Sequence, residues 1–115
     1  MDKKEALKIV QSSKYPPQGK RGAGFGFAHD KYINQDPLSY IEKANSLLIN
    51  IIQIETKQGL ENVKEIASVD GVDCLWVGHF DLTNFLGIPG DFSSTIYLDA
   101  INEIVVNKTA AQFNF

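Results

Sequence analysis

Apolar and polar positions fall in blocks along the chain, and their period changes from helical to extended and back. In residues 2–13, Ala6, Leu7, Ile9 and Val10 cluster on one side with lysines and a glutamate opposite, which predicts a helix. Tyr15-Pro16-Pro17 stops it, because proline has no N–H to donate and restricts the residue before it. Gln18 to Phe27 carries Gly19, Gly22, Gly24 and Gly26, so backbone there is expected to turn tightly or pack close to something else. Asp30 to Pro37 is polar and predicts a loop. A helix then opens near Pro37, an acceptable first-turn residue, and runs through Tyr40, Ile41, Ala44 and Asn45.

Two nearly continuous apolar runs follow. The first, Leu48 to Ile54 closed by Glu55, predicts a strand over 48–55; the second, Val72 to Gly78, predicts one over 72–78. Between them Thr56 to Ser68 has an apolar stripe of Leu60, Val63, Ile66 and Ala67, which predicts the connecting helix, ended by Asp70-Gly71. Strand, helix and strand make a βαβ unit, whose strands lie side by side and parallel. Runs this apolar suit strands covered on both faces, with Cys74 and Trp76 as core residues. Asp81-Leu82-Thr83 opens a short helix, Gly87 to Asp91 turns, and residues 95–106 form a last helix with Ile96, Leu98, Ile101, Ile104 and Val105. Asn107 to Phe115 shows no periodicity. The fold class is therefore α/β. A two-stranded parallel sheet leaves two unpaired edges, and a closed α/β barrel needs eight strands in ~250 residues, so the pattern reads as a slice of a larger sheet.

Composition narrows the setting. A chain of 115 residues has room for one modest domain, and 43% hydrophobic with 22% charged residues is ordinary for a soluble globular protein. The net charge of −3 argues against a broad nucleic-acid footprint, and Lys3, Lys4 and Lys8 are a solvated helix face. No apolar run approaches the ~20 residues of a membrane span, and the polar start Met1-Asp2-Lys3-Lys4 carries no signal-peptide core. A single cysteine, Cys74, cannot form an internal disulfide, so the expected location is cytoplasmic, with neither nucleic acid nor membrane as partner.

The candidate chemistry sits at the strand ends. Glu55 and Asp81 each follow an apolar run, and in a parallel βαβ unit those ends point the same way, towards the crevice where such sheets bind ligands. Two neighbouring carboxylates suit a hard divalent cation such as Mg2+ or Mn2+; an acid at a strand end can also simply face water or cap a helix. The stretch Gly22-Ala23-Gly24-Phe25-Gly26 lacks the preceding strand and following helix of a dinucleotide-binding loop. Arg21 has two readings, an anion contact or a structural or subunit contact.

Four words occur in order: Tyr15-Pro16-Pro17-Gln18-Gly19-Lys20-Arg21-Gly22, Gln53-Ile54-Glu55-Thr56, Val69-Asp70-Gly71-Val72-Asp73 and Val77-Gly78-His79-Phe80-Asp81-Leu82. In this the chain resembles the metal-dependent pyruvate aldolases of the HpcH/HpaI aldolase/citrate lyase family. The resemblance runs from about Glu5 to Val105 and implies a partial TIM (β/α)8 barrel of the phosphoenolpyruvate/pyruvate-binding type. It divides the chain into a partial aldolase barrel domain, 1–106, and an unmatched tail, 107–115. The activity implied is aldol cleavage of 2-keto-4-hydroxy acids to pyruvate, or a related 2-keto acid, and an aldehyde. The implied metal ligands for Mg2+ or Mn2+ are Glu55 and Asp81; Gln53 and the backbone N–H groups of Phe80 and Asp81 fall on positions that hold the keto acid. The family's Gly-Pro-small-Asp stretch is Gly78-His79-Phe80-Asp81 here, which reshapes the pocket mouth.

The histidine base and substrate-binding arginine of the family fall outside the matched section, so neither His29 nor His79 is assigned as catalytic. A fragment or truncated gene product, inactive by itself, is the expectation that follows. The resemblance also implies homo-oligomers. Two alternatives stand beside this reading: a non-catalytic remnant that persists by subunit assembly, and a citrate-lyase β-subunit-like enzyme acting on acyl-CoA, for which no basic cluster is evident.

Overall fold

A computed structural model describes residues 1–32 and 36–112, which excludes part of the expected 30–37 loop and the last three residues of the tail. The chain divides into two compact units: Lys8–Leu48, and Met1–Leu7 together with the described residues from Ile49 onward. Helix α1, Lys3–Ser13, passes from one to the other. Its first turn is fixed by a reciprocal cap: Glu5 N–H donates to Asp2 Oδ1 at 2.8 Å and Asp2 N–H to Glu5 Oε2 at 2.9 Å.

In the unit Lys8–Leu48, the backbone after Tyr15-Pro16-Pro17 folds back on the end of α1. A Cβ at Gly19 would lie 2.1 Å from the Lys14 carbonyl oxygen, so glycine is required there. Gly22 meets nothing within 4 Å, so the expected close packing holds for one part of the glycine-rich stretch and not another. Helix α2, Pro37–Leu47, is capped by Asp36, whose carboxylate accepts from Ser39 N–H at 2.9 Å. That bond, with a second from the Ser39 hydroxyl, holds the Asp36 carboxyl below its usual range. The buried Asn45 side chain of α2 accepts from Tyr15 N–H at 2.8 Å and donates to the Tyr15 carbonyl at 3.0 Å, closing both polar groups of an otherwise buried residue.

The other unit holds the sheet. Strands β1, Ile51–Ile54, and β2, Cys74–Val77, pair in parallel, with Ile51 opposite Cys74 and Ile54 opposite Val77. They are the only strands among the described residues. Asn50 locks the start of the pair: its N–H donates to Asp73 Oδ2 at 2.7 Å, its side chain to the Gly71 carbonyl at 2.9 Å, and its carbonyl accepts from Asp73 N–H at 3.0 Å. The connection is two short helices, α3 (Lys57–Glu61) and α4 (Val63–Ala67), not the single helix expected over 56–68. Thr56 caps α3 by accepting from Gly59 N–H at 3.0 Å. Asn62 makes the break, its side chain donating to the Gln58 carbonyl at 2.8 Å and its own backbone leaving helical geometry.

Beyond β2 come α5, His79–Phe85, and α6, Thr95–Gln112. Helix α6 continues past residue 106 into the stretch that lacks periodicity, and Lys108 within it donates to the Val72 carbonyl. It packs on α4 and β2. The core is Ile52 and Ile54 from β1, Val63, Ile66 and Ala67 from α4, Leu82 from α5, and Ala100 and Ile104 from α6. Only one face of the sheet joins it. On the other face Ile51 is 55% and Trp76 60% exposed, which corrects the expectation of strands covered on both sides and of Trp76 as a core residue. The register explains this: Trp76 lies opposite Gln53, on the same side of the pleat as Ile51. No described helix is long and apolar enough to cross a membrane.

Candidate functional site

Parallel pairing in this register brings both strands to an end at one level. Glu55 follows β1 directly and Gly78 follows β2 directly. Side chains two apart along an extended chain share a face, and Gln53 Nε2 donates to Glu55 Oε2 at 2.6 Å. The ladder runs one step beyond the strands, with Gly78 N–H donating to the Ile54 carbonyl at 3.0 Å. A Cβ at position 78 would lie 2.6 Å from Glu55 Cβ, 2.7 Å from Gln53 Nε2 and 3.0 Å from Glu55 Oε2. The Gln53–Glu55 pair thus occupies the space that any side chain at 78 would need.

Gly78 is also the N-cap of α5, which begins two residues before the expected Asp81-Leu82-Thr83. The first intrahelical bond is from Leu82 N–H to the Gly78 carbonyl at 2.8 Å, so the N–H groups of His79, Phe80 and Asp81 stand ahead of the helical ladder. Asp81 lies in this first turn. The sequence-predicted residues Gln53, Glu55, Phe80 and Asp81 therefore all stand at or just beyond the C-terminal edge of the sheet. Gln53 and Glu55 are in contact; Phe80 and Asp81 are carried to that edge by the turn that Gly78 begins.

Glu55 is half-buried, whereas Gln53, Phe80 and Asp81 are exposed. Among the described residues no group of three or more His, Cys, Asp or Glu side chains is placed to hold a metal ion. The carboxylates carried at this edge are Glu55, steadied by the Gln53 amide and seated against Gly78, and Asp81 in the first turn of α5. Brought together on one cation, two carboxylates would suit Mg2+, which takes one or two and keeps several waters.

Sequence reasoning gave no sign of two neighbours of this edge. His79 Nδ1 shares a 2.6 Å hydrogen bond with the Tyr97 hydroxyl. Phe80, 74% exposed, meets Phe92 edge-on with centroids 5.2 Å apart, and Phe92 meets Tyr97 at 5.4 Å. Tyr97 sits in the first turns of α6 among Ile96 and Leu98, and Phe92 in the turn before it, so neither carries a motif. In the other unit, His29 donates from Nε2 to the Gly24 carbonyl at 2.8 Å. Arg21 lies 4.6 Å over the Tyr15 ring, a cation–π contact that gives it a structural role.

The family model for HpcH/HpaI aldolase/citrate lyase matches residues 1–115. The hydroxypyruvate/pyruvate aldolase of Deinococcus radiodurans is 42% identical over 83 residues, covering 72% of this chain and 30% of that protein. The 4-hydroxy-2-oxo-heptane-1,7-dioate aldolase of Shigella flexneri is 35% identical over 102 residues, covering 89% of this chain and 38% of its own length. The crystal structure of the HpcH/HpaI aldolase from Desulfitobacterium hafniense superposes with a TM-score of 0.89 at 24% identity, over 96% of this chain and 42% of that one. The chain thus spans about three to four tenths of the length of the curated relatives it matches. Its α/β fold with parallel strands is a part of the TIM barrel of these neighbours.

Proposed function

The chain belongs to the HpcH/HpaI aldolase/citrate lyase family, and from that membership we propose that its sheet edge is the metal-holding, keto-acid-binding rim of a class II pyruvate aldolase. The observation that carries this reading is the strand register, which seats Glu55 on Gly78 and starts the turn bearing Asp81 from that same glycine. Glu55 and Asp81 would hold Mg2+ or Mn2+. When bound, the cation supplies Lewis acidity to the carbonyl side of a 2-keto-4-hydroxy acid as its carbon–carbon bond breaks. Gln53 orients the Glu55 carboxylate through its 2.6 Å hydrogen bond. The N–H groups of Phe80 and Asp81 would receive the carboxylate of the keto acid, in keeping with the partial positive charge at a helix start. No histidine of this chain is assigned as base, because the family's base falls outside the matched section; His79 bonds Tyr97 through Nδ1 and His29 bonds the Gly24 carbonyl through Nε2. The products would be pyruvate, or a related 2-keto acid, and an aldehyde. The same reading makes the assembled protein a cytoplasmic homo-oligomer.

Titration of the purified chain with Mn2+, followed by water-proton relaxation, tests the rim. Binding is expected, and E55Q and D81N should each weaken it by about tenfold or more, ~1.4 kcal/mol. Absence of binding, or binding that neither substitution alters, overturns the assignment. Pyruvate release from 4-hydroxy-2-keto acids, assayed in parallel, shows whether the chain turns over by itself.

A further inference from the structure

We propose that the Phe80 side chain, braced by Phe92, selects the distal group of the substrate, and that the keto acid taken at this rim carries an aromatic ring there rather than a second carboxylate. The proposal deepens the aldolase reading and rests on it for the place of the keto acid. Phe80 stands between Gly78, against which Glu55 is seated, and Asp81. Its ring is 74% exposed beside the two carboxylates assigned to the cation. A phenylalanine on a surface is ordinary when nothing holds it. This one is held.

Phe92 meets the Phe80 ring edge-on at 5.2 Å and rests in turn on Tyr97, which is buried in α6 and bonded to His79. The backbone is tied at the same place. Thr83, with none of its surface exposed, donates its hydroxyl to the Phe80 carbonyl at 2.9 Å and accepts from Gly90 N–H at 3.0 Å. The turn that carries Phe92 is thereby fastened to the first turn of α5. The result is an aromatic wall already ordered before any ligand arrives, so a ring laid against it loses little to immobilisation of the protein. Charge decides what the wall refuses. From Gly78 to Tyr97 the chain has no lysine or arginine, and its acids are Asp81 and Asp91. His79 in that stretch already commits Nδ1 to Tyr97. A distal carboxylate would therefore lie against an apolar ring and two like charges, without a cation from this stretch to pair with.

The probes are three 2-keto acids that lack the 4-hydroxyl, and so cannot be cleaved, and that differ in what C4 carries: 2-oxo-4-phenylbutanoate, 2-oxobutanoate and 2-oxoglutarate. Each is titrated into the full chain with and without Mn2+, and binding is read from water-proton relaxation and from broadening of the acid's own proton resonances. With Mn2+ the phenyl acid should bind about tenfold or more tighter than 2-oxobutanoate, and 2-oxoglutarate no tighter than 2-oxobutanoate. In Phe80→Ala the ratio of the phenyl acid to 2-oxobutanoate should fall to about one. Mn2+ bound without a phenyl advantage, an advantage that survives Phe80→Ala, or tighter binding of 2-oxoglutarate overturns the proposal and leaves the metal rim standing. Failure of the chain to bind Mn2+ overturns the rim and this proposal with it. Phenyl-acid binding that is equally tight without Mn2+ also overturns it, because the rings would then be taking up apolar surface unconnected with the cation.

Discussion

Replacing Gly78 by alanine puts a methyl group where the strand ends leave no room. The added carbon would lie 2.6 Å from Glu55 Cβ, 2.7 Å from Gln53 Nε2 and 3.0 Å from Glu55 Oε2. Non-bonded carbons rest about 3.5–4.0 Å apart, so the first contact is short by about 1 Å. Rotating the Gln53 and Glu55 side chains relieves the second and third contacts. It does nothing for the first, because Cβ is fixed to the backbone. Either the strand ends part or the turn into α5 shifts. Overpacking of this kind costs about 1–3 kcal/mol, which at ~4 °C per kcal/mol for a chain of ~100 residues lowers Tm by roughly 4–12 °C. Saturating Mn2+ at ~100 times its Kd adds ~2.7 kcal/mol to a chain that binds it only when folded. Gly78→Ala, with the Glu55 carboxylate displaced, should lose most of that increment. Thermal melts followed by circular dichroism, with and without Mn2+, measure both effects. Gly22→Ala is the control, since nothing lies within 4 Å of its Cβ position. A Gly78→Ala protein that melts within about 1 °C of the parent, and gains the same shift from Mn2+, would refute the packing argument.

Asn45→Ala removes both partners of a buried backbone pair, Tyr15 N–H and Tyr15 C=O. The expected cost is about 1–3 kcal/mol, read as an earlier urea midpoint at unchanged m-value; a midpoint equal to the parent's would show that water replaces the amide. Two exposed carboxyls, Asp36 and Asp91, are held below their usual range. For Asp36 the main cause is the Ser39 backbone N–H, and for Asp91 the Ser93 hydroxyl. A depressed folded-state value means that their contribution is present above the ordinary aspartate value of about 3.9 and is lost as pH falls through the folded value. Carboxyl NMR titration should place both midpoints below that ordinary value, and a midpoint at or above it for either residue would break the link to its serine.

The βαβ unit was legible because it is written in two independent signals, the change of apolar period and the caps and turns between. Pro37 and Gly71 mark boundaries by their own chemistry, the first opening α2 and the second turning the chain ahead of β2. The site was legible to the extent that strand ends were: placing Glu55 needs only the end of β1. The placement of Trp76 was not, since alternation tells which residues share a face and not which face finds a cover. The division of the connecting helix at Asn62 depends on a side chain competing for the Gln58 carbonyl, a choice invisible in an apolar stripe. The length of α6 was missed for the opposite reason: its last turns are held by Lys108 and by backbone bonds, without an apolar repeat. The aromatic group of Phe80, Phe92 and Tyr97 joins residues brought together only by the turn between α5 and α6.

Because the pose of Glu55 is set by the lack of a side chain at 78, that position offers evolution nothing to adjust. Any change in the molecule that meets this carboxylate has to be accommodated by residues 79 and 80, which are exposed. The turn is thus split into a rigid hinge and an adjustable lip, and a substitution at the second leaves the first undisturbed.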